Sequence, residues 1–463
     1  MLSEEFVSSL CGGPLSSNTS IAKDVGIYVH TLSPAYSVKS AFKKNSAAPN
    51  CVAVNDSHIF AAQHEKAALH VYSRIRGNQE AYVPFPEKIR CVALADDVLI
   101  LGTAEGRIML WEFCTGRLVS TPACHVQPVT CLAVTPHSVL SGSDDSNVQV
   151  WSLAQLLELD HIAEQAPERT LSNHRAAITA LAASSGADGG SGATDSTLCV
   201  SASKDKTCVI WNYRTGLPLR TLLFPASPLC LSLDPCTRAL CLAADDGSVY
   251  LVELFGEPAP LLGPHAAEAA STVVQVTSPF GMAPPEAGPA SCLATSYDGT
   301  VLLSGHAKGK ILQWSLADNS PPTELADLNA AVSNLVFVPP LPSSSFGQST
   351  TKSPTIVKPA ANADKTYAFT AHFNADLGSS TEPSRFEKLM NTPGFSEDVL
   401  KQAILGFQQP SAAATPAVTT NGSSDDGNEV EELRRQNEEL LQIVNEQKAL
   451  YKQVLQRQAG AQS

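Results

Sequence analysis

Residues 129–151 read VTCLAVTPHSVLSGSDDSNVQVW. The run VTCLAV reads as an alternating strand, Pro136-His137 marks a turn, and a second apolar run ends in Ser141-Gly142-Ser143. Asp144-Asp145 turns the chain again into a third strand that closes on Trp151. Alternation of this kind bounded by turn residues predicts short strands with one buried face. The same grammar recurs along the first 340 residues: Cys51, Cys91 and Cys131 are 40 apart, each followed by an apolar residue (Val52, Val92, Leu132). Trp111 and Trp151 are also 40 apart, and Tyr72 stands 39 before Trp111.

A period near 40 with four short strands per unit predicts a β-propeller of WD type. A lone unit cannot bury both faces of its small sheet, so the copies must stack. First strands are expected near 50–54, 89–95, 128–134, 177–183, 228–233 and 290–296, and third strands end at Tyr72, Trp111, Trp151, Trp211, Val252 and Trp314. A bulky residue at that end fills the space between blades. Six units are complete. The N-terminal runs EEFVSSL, VGIYVHTL and YSVKSAF read as second, third and fourth strands, and AVSNLVFV at 331–338 reads as a first strand with nothing after it. Joining them gives a seventh unit and leaves no free edge. The expectation is an all-β, seven-bladed propeller over 1–340, its first blade shared by both ends.

Three excursions break the repeat. Residues 184–196 (SSGADGGSGATDS) are too rich in Gly and Ser to bury surface. Residues 153–167 have apolar spacing that predicts a short helix, and the Pro/Ala/Gly-rich 255–289 separates the sixth and seventh units. After 340 the composition changes. A linker is expected over 341–380, carrying one extended segment, TYAFTAHF, at 366–373. Short amphipathic helices follow over 381–409 and a second linker over 410–428. Residues 429–458 hold a heptad register with Val430, Asn437, Val444 and Tyr451 at a and Leu433, Leu440, Gln447 and Val454 at d. That pattern predicts a coiled coil, and Asn437 at an a position favours a parallel pair of identical helices, so a homodimer is expected.

The formal net charge of −14 argues against nucleic-acid binding driven by overall charge, leaving direct RNA contact open and protein partners preferred. Of the twelve cysteines, Cys51, Cys91, Cys131, Cys230 and Cys292 fall at one repeat position, which predicts small buried hydrophobes rather than disulfides. The start, MLSEEFVSSL, lacks the basic region of a signal peptide, and no apolar run is long enough to span a bilayer, so no membrane association is expected.

His125, Ser141, Asp145 and Trp151, and again His174, Ser201, Asp205 and Trp211, repeat one constellation. One copy alone would raise a Ser/His/Asp triad; its recurrence at the repeat period predicts a structural tetrad in each blade. The pairs Asp96-Asp97, Asp144-Asp145 and Asp245-Asp246 sit at strand connections, where Asp accepts from local amides. No phosphate-binding loop, dinucleotide fingerprint, zinc-ligand spacing or nucleophile elbow occurs. No catalytic residue, metal or cofactor is therefore expected.

The segments KDVGIYVHTLSP (23–34), GNQEAYVPFPEKIR (77–90), NHRAAITAL (173–181), SYDGTVLLSGHAKGKILQW (296–314) and TYAFTAHF, followed by the terminal heptads, resemble the WD-repeat subunit of the Rix complex in fungi and its animal relatives. The resemblance implies a non-catalytic nuclear scaffold, in nucleoplasm or nucleolus. It implies work with the other Rix-complex subunits on precursors of the large ribosomal subunit, in removal of the second internal transcribed spacer and in remodelling by a giant AAA ATPase. It also implies a link to replication licensing and self-association through the C-terminal helix. Rival readings are a ubiquitin-ligase substrate receptor, which wants an adaptor motif such as an F-box, and a coat subunit, which wants a long α-solenoid.

Overall fold

The computed structural model describes residues 4–13, 25–33, 35–43, 45–158, 165–184, 197–255, 261–262, 273–318, 320–338 and 354–359. They form seven antiparallel sheets, six of four strands and one of five. Blade one consists of Ala331–Phe337, Glu4–Cys11, Val25–Ser33 and Ser37–Lys43, in that spatial order. The orphan strand and the N-terminal strands thus share one sheet, with Val336 opposite Val7 and Leu335 opposite Ser8.

The remaining blades follow the chain. Blade two comprises Val52–Val54, His58–Ala62, Ala68–Ser73 and Asn78–Pro84; blade three Ile89–Ala95, Val98–Thr103, Ile108–Glu112 and Leu118–Ser120. Blade four comprises Val129–Val134, Ser138–Ser143, Asn147–Ser152 and Arg169–Ser172; blade five Ile178–Ala183, Leu198–Ser203, Thr207–Asn212 and Leu217–Leu223. Blade six comprises Pro228–Leu233, Ala239–Ala244, Ser248–Glu253 and Gly281–Met282, and blade seven Ala290–Thr295, Val301–His306, Lys310–Ser315 and Thr323–Asp327.

Burial explains the sequence pattern strand by strand. The first strand of blade four alternates buried and half-buried positions, whereas its second and third strands are buried almost throughout. Middle strands lie between two neighbouring sheets, so both faces need apolar side chains. Outer strands such as Asn78–Pro84 are largely exposed.

The first strands carry a shared device. In blades three to seven the pairing with the second strand is bulged two residues before or at the repeated cysteine position, as between Val129 and Cys131. The residue opposite is always small: Gly102, Gly142, Ala202, Ala243 and Gly305. A Cβ on Gly142 would lie 2.7 Å from the Cys131 Sγ and 2.9 Å from Cγ2 of Ile178 in blade five. Glycine here is what lets the next blade's first strand close in.

The same position ties blades together. Cys51 donates its S–H to Arg90 O (3.2 Å), Cys91 to Val129 O (3.5 Å), and Cys230 to Ala290 O (3.7 Å), each acceptor in the next blade. Thr130 donates to Ile178 O (2.7 Å), and Ser291 and Cys292 both reach Val332 O. Burial pushes the Cys51, Cys131 and Cys292 thiols up to about 12, so they stay protonated donors. All the cysteines of the described residues are free.

Two expectations are corrected. The 255–289 stretch is not a plain insertion between units: Gly281–Met282 is the outer strand of blade six, and Val273–Gln275 pairs in parallel with Leu217–Leu223 as a fifth strand of blade five. Two- and three-residue pairings leave no readable alternation. A short helix, Leu153–Leu157, capped by the Ser152 side chain, stands within the 153–167 stretch whose spacing predicts one. Within the expected 341–380 linker, 354–359 lies on blade three. The 366–373 strand, the helices of 381–409 and the coiled-coil positions Val430, Leu433, Asn437, Leu440, Val444, Tyr451 and Val454 lie outside the described residues.

Candidate interaction surface

Antiparallel strands running from the axis outward put the first-to-second and third-to-fourth turns on one face of the ring. The second-to-third turns and the interblade loops lie on the other. The latter face holds the repeated constellation. In blade four the Trp151 indole N–H donates to Ser141 Oγ (3.1 Å), Ser141 lies 2.9 Å from His125 Nε2, and His125 Nδ1 lies 3.0 Å from Asp145 Oδ2. Blade five repeats it with Trp211 and Ser201 (2.9 Å), Ser201 and His174 (2.8 Å), and His174 and Asp205 (3.3 Å).

The direction of each relay is forced. A carboxylate only accepts, so the neutral ring carries its hydrogen on Nδ1 and donates it there; Nε2 then accepts from the serine hydroxyl, whose oxygen accepts the indole N–H. Asp145 also accepts from the Val126 and Asn147 amides, and so ties the interblade loop to the turn. Burial lowers the pKa of both histidines, although their Asp partners oppose it. At Asp205, burial pushes the carboxyl up, but hydrogen bonds from Thr207 and the Arg175 amide bring it below its ordinary value.

The geometry resembles a hydrolytic triad, but the environment is unsuited to one. Ser141 and Ser201 are fully buried, and each oxygen already holds an indole N–H where an approaching electrophile would need it. The relays can fix turns to strands; they cannot reach a substrate.

Two further networks were legible only in part. In blade seven Trp314 donates to Ser304 (2.8 Å), which bonds His306 two residues on (2.9 Å), and His306 donates to Gly288 O (2.8 Å). Ser304, ten before its tryptophan, carries the same spacing as Ser141; the histidine has moved onto the strand. In blade one Ser8 bonds His30 (2.8 Å), which occupies the tryptophan position and stacks on Phe6. Burial lowers His30 to about 4. Blade three replaces the polar relay with Phe85 and Leu101, both buried near Trp111.

The opposite face bears exposed apolar side chains: Ile75 in a third-to-fourth turn, Leu217 at the start of blade five's fourth strand, Phe255 beyond the third strand of blade six, and Tyr297 in a first-to-second turn. On the relay face the corresponding exposed residue is Val126. Apolar side chains on loops of one face are the usual material of a protein-binding surface. No cluster of metal-ligating side chains occurs among the described residues, and none of their helices is long and apolar enough to cross a membrane.

The WD domain, G-beta repeat family model matches residues 116–152 and 165–212, the two blades whose relays are complete. The chain is a seven-bladed WD-repeat propeller. The chain is 29% identical over 307 residues to the pre-rRNA-processing protein IPI3 of Yarrowia lipolytica, covering 64% of this chain and 70% of that one. It is 24% identical over 300 residues to the pre-rRNA-processing protein crb3/ipi3 of Schizosaccharomyces pombe, covering 59% and 66%. To human WD repeat-containing protein 18 it is 29% identical over 325 residues, covering 66% and 71%. These alignments extend well beyond the two blades that carry the generic repeat signal.

Proposed function

We propose that this chain is a WD-repeat scaffold for the processing of precursor ribosomal RNA. The observation that carries the reading is the similarity, over about 300 residues, to proteins named for pre-rRNA processing. The buried relays support a non-catalytic role, because their polar groups are spent on holding turns. In the finer reading the propeller is a nuclear subunit of the Rix complex. It joins the other Rix subunits on the pre-large-subunit particle, where the AAA ATPase acts, and it pairs with its own copy through 429–458.

Affinity purification from growing cells, with sequencing of the recovered RNA, tests this. Expected are precursor rRNA retaining the second internal transcribed spacer, together with large-subunit assembly factors. Recovery of cullin components or membrane coats without pre-rRNA would overturn the reading.

A further inference from the structure

Trp111 is the tryptophan whose blade supplies no relay. Trp151, Trp211 and Trp314 each donate to a serine ten residues earlier. Ten residues before Trp111 stands Leu101, which is fully buried. The Trp111 indole instead donates to Val357 O, at 3.2 Å and 246 positions away. Val357 N–H donates to Phe113 O at 2.8 Å, so both backbone groups of Val357 are bonded to blade three.

The surroundings fit one extended segment. Residues 354–359 read PTIVKP. Proline at each end removes two N–H groups and favours extended backbone, leaving the central Val357 to bond. Ile356 packs against the apolar core that runs through blades one to three, which includes Phe60, Phe85, Trp111 and Phe113. Gly116, at φ +80, makes the space: a Cβ there would lie 2.7 Å from the Val357 Cγ1 and 2.9 Å from Lys358 O.

We propose that the groove beside Trp111 and Gly116 is a binding site for an extended peptide, filled in cis by 354–359. By holding that segment it anchors the chain at Pro354–Pro359 on blade three. The first strand of blade one ends on the face opposite the relays, and the segment is bonded at the third-to-fourth turn of blade three on that same face. Ile75, Leu217 and Tyr297 are exposed there too, so the bound segment 354–359 lies on the apolar face. Two backbone hydrogen bonds and two apolar side chains make a weak contact by themselves. The 15 residues of 339–353 hold it at high effective concentration. This inference goes beyond the role in pre-rRNA processing and does not depend on it.

The test uses the full chain, with hydrogen exchange of the 354–359 amides and of the four indole N–H groups. In the unaltered chain the Val357 amide and Trp111 indole are expected to be protected. Val357→Asp is expected to speed exchange at both by about tenfold or more and to leave Trp151, Trp211 and Trp314 unchanged. Gly116→Val, which blocks the groove from the other side, is expected to do the same. A synthetic PTIVKP peptide at millimolar concentration should restore Trp111 protection in Val357→Asp but not in Gly116→Val. A photo-crosslinking residue in place of the exposed Lys358 should capture residues of 112–117. Unprotected 354–359 amides in the unaltered chain, an unmoved Trp111 indole in both variants, no rescue by the peptide, or capture scattered around the ring would each overturn the proposal.

Discussion

The side-chain carbonyl of Asn334 accepts the Cys51 backbone N–H at 3.1 Å, joining residues 283 positions apart. The Asn334 amide also donates to Ala48 O and to Ser9 Oγ, both at 2.8 Å. Asn334 stands where other first strands carry the repeated cysteine, so it makes the blade-one-to-two junction in place of a thiol. Every other junction joins units successive in sequence; this strand closes the circle.

Removing it should therefore cost more than one strand's worth of contacts. Truncation after residue 330 deletes Ala331–Phe337 and exposes the edge of Glu4–Cys11. A clear fall in the melting temperature of the whole propeller is expected by calorimetry. Asn334→Ala, which strands buried donors and acceptors, should cost about 1–3 kcal/mol in chemical denaturation. An unchanged melting curve after truncation would show that the ring does not depend on this strand.

Ser141 and Trp151 predict graded losses without any lost chemistry. Ser141→Ala leaves the Trp151 indole and His125 Nε2 buried without their partner, at about 1–3 kcal/mol. Trp151→Ala empties a fully buried site at about 3–5 kcal/mol. Urea midpoints should follow that order. A well-folded Trp151→Ala protein that lacks one partner only would place Trp151 at an interface instead.

Gly142→Ala should overpack the junction between blades four and five, at about 1–3 kcal/mol. Cys131→Ala removes the nearest of the atoms the new Cβ meets. The double variant should recover part of the loss in a thermodynamic cycle; strict additivity of the two changes would contradict the packing account.

Acidification should weaken the propeller through its buried histidines. The His30 pKa is lowered to about 4 by burial, against about 6.5 unfolded, so the unfolded chain takes up the proton first. The stability contributed by neutral His30 is complete above pH ~6.5 and lost as the pH falls toward ~4, about 3 kcal/mol in all. His125, His174 and His306 are shifted in the same direction by burial. Asp205 and Asp298 are held below the ordinary carboxylate value, so their loss begins lower. Urea midpoints at pH 7.5, 5.5 and 4.5 should decline stepwise; a flat series would mean the histidines are not the buried neutral groups described.

The proposed self-association predicts separable behaviour. Replacing Leu433, Leu440 and Val444 with Asp would put charges in the seam and give a monomer by light scattering, with the propeller's melting temperature unchanged. A monomeric unaltered protein at micromolar concentration would point to a foreign helix as partner.

The sequence by itself determined the number of blades, the shared first blade and the places of the four tryptophans. Those features rest on local alternation and on a spacing of about 40 residues, which burial between neighbouring sheets imposes on every copy. The pairing of Asp145 with His125 was likewise readable, because the constellation recurs intact around Asp205. Only the tertiary structure decided how the exceptions are met. His306 enters its relay from the strand, Asn334 replaces a thiol at the closure, and Val273–Gln275 borrows the edge of blade five. Trp111, deprived of a serine by Leu101, takes its acceptor from Val357. Each is a contact between residues distant in the chain whose only requirement is to satisfy a buried polar group or edge. Such a requirement constrains position in space and leaves almost no periodic mark on the sequence.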